Sequence, residues 1–314
     1  MPARSPHAFS RRSLTAGVAA LGAVTLAGFT ARAEEEPGAS PDASPSTDHP
    51  TLLLRMNSGL VSSKPELQLT AVPDFSLYDD GSIYRLGPVI AIYPPPALPN
   101  LTRMRVSANA VEIIREQARD AGLDQPNMIR NPTMHDDFPP TNFLFNTGDR
   151  IVLSSAWGLF ADVDRPPEWD DATYAVWQRL RDFASYLTNL PFNLPNEALL
   201  EPEMPIDPER LQIIAFDASP DRPSSSGIPD LDQPAIPWPL STPLAELAPF
   251  DDAVVSGLAG PRCTVVTGAD ARSVVEASRQ GNLLSPWIDG DGTYGVLLTP
   301  LLPDQTGCEV VEPA

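Results

Sequence analysis

A chain of 314 residues with 42% apolar content has enough greasy side chains to bury a core, which excludes wholesale disorder. Its formal net charge of −20 repels polyphosphate and makes nucleic acid a poor partner. The 37 prolines, roughly twice the usual share of about 5%, rule out a fold made only of long ladders, because proline fixes φ and lacks a backbone donor.

In chain order, the first feature is a basic, acid-free segment carrying Arg4, Arg11, Arg12 and Arg32. Within it, Ser10-Arg11-Arg12-Ser13-Leu14-Thr15 resembles the twin-arginine export motif. An uncharged apolar run from Ala16 to Phe29 follows, too short for the about 20 residues that span a bilayer. Ala31-Arg32-Ala33 then offers the small-x-small pattern cut by signal peptidase, so residues 1–33 read as a signal and Glu34 as the mature start. The expected partners of this segment are the twin-arginine export machinery and signal peptidase. The expected destination is the cell envelope or the exterior. No cysteine lies near the cut, so no stable membrane anchor is expected after cleavage. Residues 34–50, rich in Glu, Pro, Ser, Ala and Asp, read as a flexible leader.

Two lobes are expected beyond the leader, residues 51–190 and 191–314. Thr51 to Met56 reads as a first strand. Leu67–Tyr78 and Ser82–Tyr93 bracket Asp79-Asp80-Gly81, a strong hairpin signal because glycine accepts φ > 0. Pro94-Pro95-Pro96 ends the second arm in an extended run. A helix follows, with Asn109 and Glu112 as a capping box, Val111, Ile114, Ala118 and Ala121 on one face, and Gly122 as its C-terminal cap. A second hairpin, Asn142–Phe145 with Ile151–Leu153, precedes a helix from about Asp171 to Leu190. Val176, Leu180, Phe183 and Leu187 form its buried stripe, widened by Trp177 and Ala184.

The second lobe opens with a proline-punctuated stretch from Pro191 to Pro208 and a buried strand, Leu211–Phe216. Residues 219–249 read as a long proline-rich loop. Cys263–Val266 reads as a strand, Thr267-Gly268-Ala269-Asp270 as a capping box, and Tyr294–Thr299 as the last strand after the turn Asp289–Gly292. The expected fold class is α+β, with a mixed, mostly antiparallel sheet built from hairpin–helix units and joined by long proline-rich loops.

Chemistry is sparse. Cys263 and Cys308 are the only cysteines, and an even count in an exported chain reads first as a disulfide. The chain has no cysteine cluster and no histidine-rich site, so no cofactor is expected. His135-Asp136-Asp137 is three consecutive loop residues, read as solvated rather than metal-binding. Asp289-Gly290-Asp291-Gly292 lacks the spacing and terminal Glu of a calcium loop and reads as a turn. Asn146-Thr147-Gly148 has an amide where an aspartic protease needs a carboxylate. Trp238, between Pro237 and Pro239, is either an exposed contact or a plug at the core's edge, and Tyr93 is a second contact candidate.

Three stretches carry a resemblance: Phe75-Ser76-Leu77-Tyr78-Asp79-Asp80-Gly81-Ser82, Ile92-Tyr93-Pro94-Pro95-Pro96-Ala97-Leu98-Pro99, and Thr299-Pro300-Leu301-Leu302-Pro303-Asp304 through Cys308. The chain is similar here to exported, often lipid-anchored bacterial proteins of uncharacterised activity, and the likeness spans most of residues 51–308. It departs from them in lacking an anchoring cysteine and in placing Asp80 where a second small turn residue is expected. A looser likeness, in topology alone, is to small secreted peptidase inhibitors. The resulting expectation is a non-catalytic, secreted or envelope binding protein, with the 219–249 loop and the Tyr93–Pro99 run as candidate contact surfaces. The runner-up is an extracytoplasmic hydrolase using carboxylates.

Overall fold

The computed structural model describes residues 49–59, 69–88, 92–132, 140–161, 164–218, 233–250 and 258–308. The signal residues Arg11, Arg12, Ala31 and Ala33, most of the leader, and His135-Asp136-Asp137 lie outside these. Among the described residues are four helices and two mixed, mostly antiparallel sheets, the α+β class. None of these helices is long and apolar enough to cross a membrane.

The first sheet takes its strands from β1 (Leu52–Ser58), β2 (Phe75–Tyr78), β3 (Ser82–Leu86), β4 (Leu101–Val106), β5 (Met128–Ile129), β6 (Pro140–Asn146), β7 (Ile151–Trp157) and β8 (Leu199–Pro205). Helix α1 (Ala108–Asp120) follows β4, and helices α2 (Asp171–Thr188) and α3 (Leu190–Asn193) follow β7. The spatial order is β5-β7-β6-β1-β2-β3-β4-β8. Each long helix therefore carries the chain to the far edge. α1 leaves β4 and delivers β5 beside β7, while α2 leaves β7 and delivers β8 beside β4. The two hairpin–helix units exchange edge strands, so neither completes its part of the sheet alone.

The expected hairpin is present but shorter, since β2 and β3 pair only around the Asp79–Gly81 turn. Gly81 has φ +81 there, and a Cβ would stand 2.3 Å from the Val106 carbonyl oxygen, so both conformation and space demand glycine. Strand β4, not among the expected elements, lies between the hairpin and the helix. Helix α1 starts earlier than expected: Ser107 is its N-cap, its Oγ accepting from the Ala110 N–H at 3.3 Å, so Asn109 and Glu112 form no capping box. Its end matches expectation, with Gly122 at φ +89 and the Leu123 N–H reaching the Ala118 carbonyl at 3.0 Å.

Helix α2 is capped by Asp170, whose carboxylate accepts from the Thr173 N–H at 2.7 Å. It buries Trp177, Leu180, Phe183, Ala184 and Leu187 against Leu54, Leu77, Phe143 and Phe145 of the sheet. Each such large side chain contributes roughly 1.5–3 kcal/mol on burial. Val176 is only partly buried, and Pro191 sits in the first turn of α3, where its missing donor costs no hydrogen bond.

The second sheet comprises β9 (Arg210–Asp217), β10 (Ile236–Pro237), β11 (Ala248–Pro249), β12 (Arg262–Thr267), β13 (Trp287–Asp289) and β14 (Gly292–Pro300), in the order β10-β13-β14-β9-β12-β11. Helix α4 (Gly268–Ser278) buries Ala271, Val274 and Val275 on Leu211, Ile213 and Leu298. Thr267 caps no N–H: it stays paired with Arg210 in the ladder while Gly268 turns the chain at φ +58. The Pro191–Pro208 stretch is not all loop, because β8 forms within it. Three edge strands, β8, β10 and β11, carry prolines: Pro202 and Pro205, Pro237, and Pro249. At an edge the absent N–H interrupts no ladder.

Candidate functional site

The connection from β3 to β4 holds the Tyr93–Pro99 run flagged in the sequence, and it leaves the first sheet to lie against the second. The Leu283 N–H donates to the Pro95 carbonyl at 2.9 Å, and Pro96 bridges to Asn282 just past α4. At its base, the Gly87 N–H reaches the Asn100 carbonyl at 2.7 Å and the Asn100 amide reaches the Pro88 carbonyl at 2.8 Å. Proline geometry supplies the extended path, and these bonds fix where it runs.

A groove of about 770 Å³ opens between this run, the end of β8 and the end of α4. Ile92 and Tyr93 stand on one wall, 54% and 50% exposed, beside Leu98. Val275 and Gln280 line the opposite wall. Arg279 marks the polar end, 2.6 Å from both Asp207 and Glu276, and these acceptors raise its already high pKa. The arrangement is a mixed trough: Ile92, Tyr93, Leu98 and the prolines give it an apolar side, Ser278, Gln280 and Asn282 a polar one, and Arg279 holds two ion pairs at its end, which suits an extended segment that presents side chains to it. Behind the proline wall is a smaller apolar cavity of about 220 Å³, lined by Val72, Leu86, Leu98 and Leu283. Asp74 at its rim accepts from both the N–H and the hydroxyl of Ser58.

The first sheet also carries a polar cluster. The Arg55 Nε donates to the Ser76 Oγ at 3.1 Å, and its Nη2 donates to the Asp304 Oδ1 at 2.8 Å. The Tyr78 hydroxyl donates to the same Asp304 oxygen. Burial pushes the Tyr78 phenol far above the usual tyrosine range, and the neighbouring Asp304 raises it further, against a smaller opposing pull from Arg55. Burial likewise raises Tyr84, which meets Tyr78 edge-on at 5.6 Å, with Arg103 opposing.

Of the contact residues read from the sequence, Tyr93 lies on the groove and Trp238 does not reach a surface. Trp238 is 9% exposed, edge-on to Trp287 at 5.7 Å, with its indole N–H on the Thr242 carbonyl at 2.9 Å. Pairing explains this. The Ile236 and Trp238 N–H groups donate to the Pro286 and Ile288 carbonyls, so the segment joins the sheet and turns its indole into the core below α4. Cys263 and Cys308 are bonded to each other, with Cα atoms 5.7 Å apart. Sequence reasoning missed Arg55, Tyr78 and Asp304 as a set. Tyr78 and Asp304 lie 226 residues apart, and nothing local around either points to the other. Among the described residues no group of three or more His, Cys, Asp or Glu side chains is placed to hold a metal ion. Comparison of the chain with family models, curated proteins and solved structures returned no match, so the reading of this site rests on its own geometry.

Proposed function

We propose that the chain is a non-catalytic binding protein of the cell envelope or the exterior, exported through the twin-arginine route, and that its groove takes an extended apolar segment of a partner. The observation that carries this reading is the exposed Ile92–Tyr93 pair, held on a proline wall that main-chain hydrogen bonds fix against the end of α4. A pre-formed wall loses little conformational freedom on binding, which favours recognition over a loop that must order first. Aromatic and proline surfaces suit extended, side-chain-led contacts.

The test places a photo-reactive phenylalanine at position 93 and, as a control, at the exposed Glu116 of α1. Irradiation of cells secreting each variant is expected to trap one discrete partner from position 93 only. Equal labelling from both positions overturns the groove assignment. Turnover of a glycoside or peptide substrate panel by the purified protein, with or without calcium, overturns the non-catalytic reading. Arg11→Lys combined with Arg12→Lys is expected to leave the uncut precursor inside the cell, and normal export of that variant removes the twin-arginine assignment.

A further inference from the structure

The tail after β14 is short of ladder bonds yet touches both sheets. The Leu301 N–H reaches the Arg210 carbonyl at 3.0 Å, after which the chain crosses to the first sheet. Leu302, 1% exposed, packs in one cluster with Val72, Tyr78 and Leu101. A turn closed by Gln305, whose side chain accepts from the Leu302 N–H at 2.9 Å, presents Asp304 to Arg55 and Tyr78. The tail then returns to the second sheet, where the Cys308 N–H reaches the Gln212 Oε1 at 2.8 Å and the sulfur bonds Cys263 of β12. Gly307 and Cys308 both have positive φ, +79 and +54. Glycine tolerates that region, whereas cysteine prefers to leave it.

We infer that Leu301–Cys308 is a strap whose latch on the first sheet is set by the oxidation state of Cys263 and Cys308. With the thiols reduced, the left-handed Cys308 relaxes, the strap loses its far anchor, and the Asp304 contact with Arg55 and Tyr78 opens. The latch reaches the groove through shared residues. Leu101 and Ile206 belong to the cluster around Leu302 and also line the groove. Only this last consequence, an effect on ligand uptake, rests on the binding reading; the latch itself does not.

The closing chemistry is thiol–disulfide exchange with a disulfide oxidant. Cys263 is 4% exposed and Cys308 less buried, so the Cys308 thiolate meets the oxidant first. It attacks one oxidant sulfur and displaces the other as a thiolate. The Cys263 thiolate then attacks the Cys308 sulfur of the mixed disulfide and forms the internal bond. The oxidant leaves as a dithiol, carrying two electrons and the two protons that the cysteines gave up. A chain that folds in a reducing cytosol acquires this bond only after crossing into an oxidising compartment.

The experiment is hydrogen exchange followed by mass spectrometry on the protein from Glu34 onward. It compares the oxidised form, the form reduced with dithiothreitol, the Cys263→Ser/Cys308→Ser variant, and Asp304→Asn with the disulfide intact. Peptides covering 52–58 and 75–78 are expected to exchange about tenfold faster in the reduced and double-serine forms, and faster in Asp304→Asn, with α2 unchanged. A parallel ultraviolet titration is expected to show the Tyr78 phenol moving down toward the ordinary tyrosine range on reduction. The inference is overturned if reduction speeds exchange only in 262–267 and 301–308. It is also overturned if Asp304→Asn leaves 52–58 and 75–78 unaltered. Should the double-serine variant not fold, the reduced wild-type protein and Asp304→Asn decide between these outcomes.

Discussion

The first sheet has eight strands and two long helices, and the exchange of β5 and β8 between its halves makes every part depend on the rest. The second has six strands, one such helix of 11 residues, and a smaller cluster of buried side chains. It carries instead the only covalent cross-link in the chain, between β12 and the tail. A large interlocked core gains its stability from buried area and from connections that close only when all strands are present. A smaller one gains from removing freedom in the unfolded state, which a disulfide does without adding buried surface. The two halves thus draw their stability from different sources, yet the Leu283-to-Pro95 hydrogen bond and the packing of Leu302 on Tyr78 and Leu101 couple them.

The largest effect is expected from Trp177→Ala, because the indole fills the first core and its N–H satisfies the Trp157 carbonyl at 2.9 Å. The cavity and the stranded carbonyl together cost roughly 5 kcal/mol. Guanidinium unfolding followed by circular dichroism should show a single, much lower midpoint. A separate second transition, with the second sheet surviving, would break the view that the halves are coupled. Next comes Cys263→Ser with Cys308→Ser: opening a link of sequence separation 45 removes about 4 kcal/mol by loop entropy. A loss well under half of that would mean the second core is more self-sufficient than its size indicates.

The smallest effect concerns pH and Tyr78. Its folded pKa lies above the ordinary value of 10.0, so the native state favours the protonated phenol. That contribution is complete below pH 10.0 and is lost as pH climbs from there toward the folded value. Tyr84 and Tyr186 are raised in the same direction, chiefly by burial. Tyr78→Phe should cost about 1 kcal/mol at neutral pH and flatten, without abolishing, the fall in stability in alkaline urea titrations. An unchanged alkaline slope would assign that fall to the other two tyrosines.

Local signals in the sequence carried the elements they govern. The 3.6-residue stripe of α2, the Asp79–Gly81 turn, the glycine end of α1 and the apolar run of β9 all appear where the pattern places them. The even cysteine count likewise pointed to the bond between Cys263 and Cys308. β4 was missed although Arg103 and Arg105 alternate with the buried Thr102, Met104 and Val106, the two-residue period of a half-buried strand. β8 was hidden by Pro202 and Pro205, which a central strand would not tolerate but an edge does. The burial of Trp238 depends on pairing with a segment far along the chain, around Ile288, and flanking prolines say nothing about that. Arg55, Tyr78 and Asp304 meet across 226 and 249 residues of chain, a distance over which turn and periodicity rules are silent. Tyr93 is exposed on the proline run that the sequence singles out, but the residues across the groove from it, at the end of α4, could not be read from that run.

The prolines at the sheet margins have a consequence for how copies of this protein behave together. A neighbouring chain that tries to add a strand at Pro202, Pro237 or Pro249 finds a ring where it needs a donor, which weakens pairing at those edges. Strand addition is thus hindered by proline at three of the four edges among the described residues, and the fourth, β5, offers only two residues to pair with.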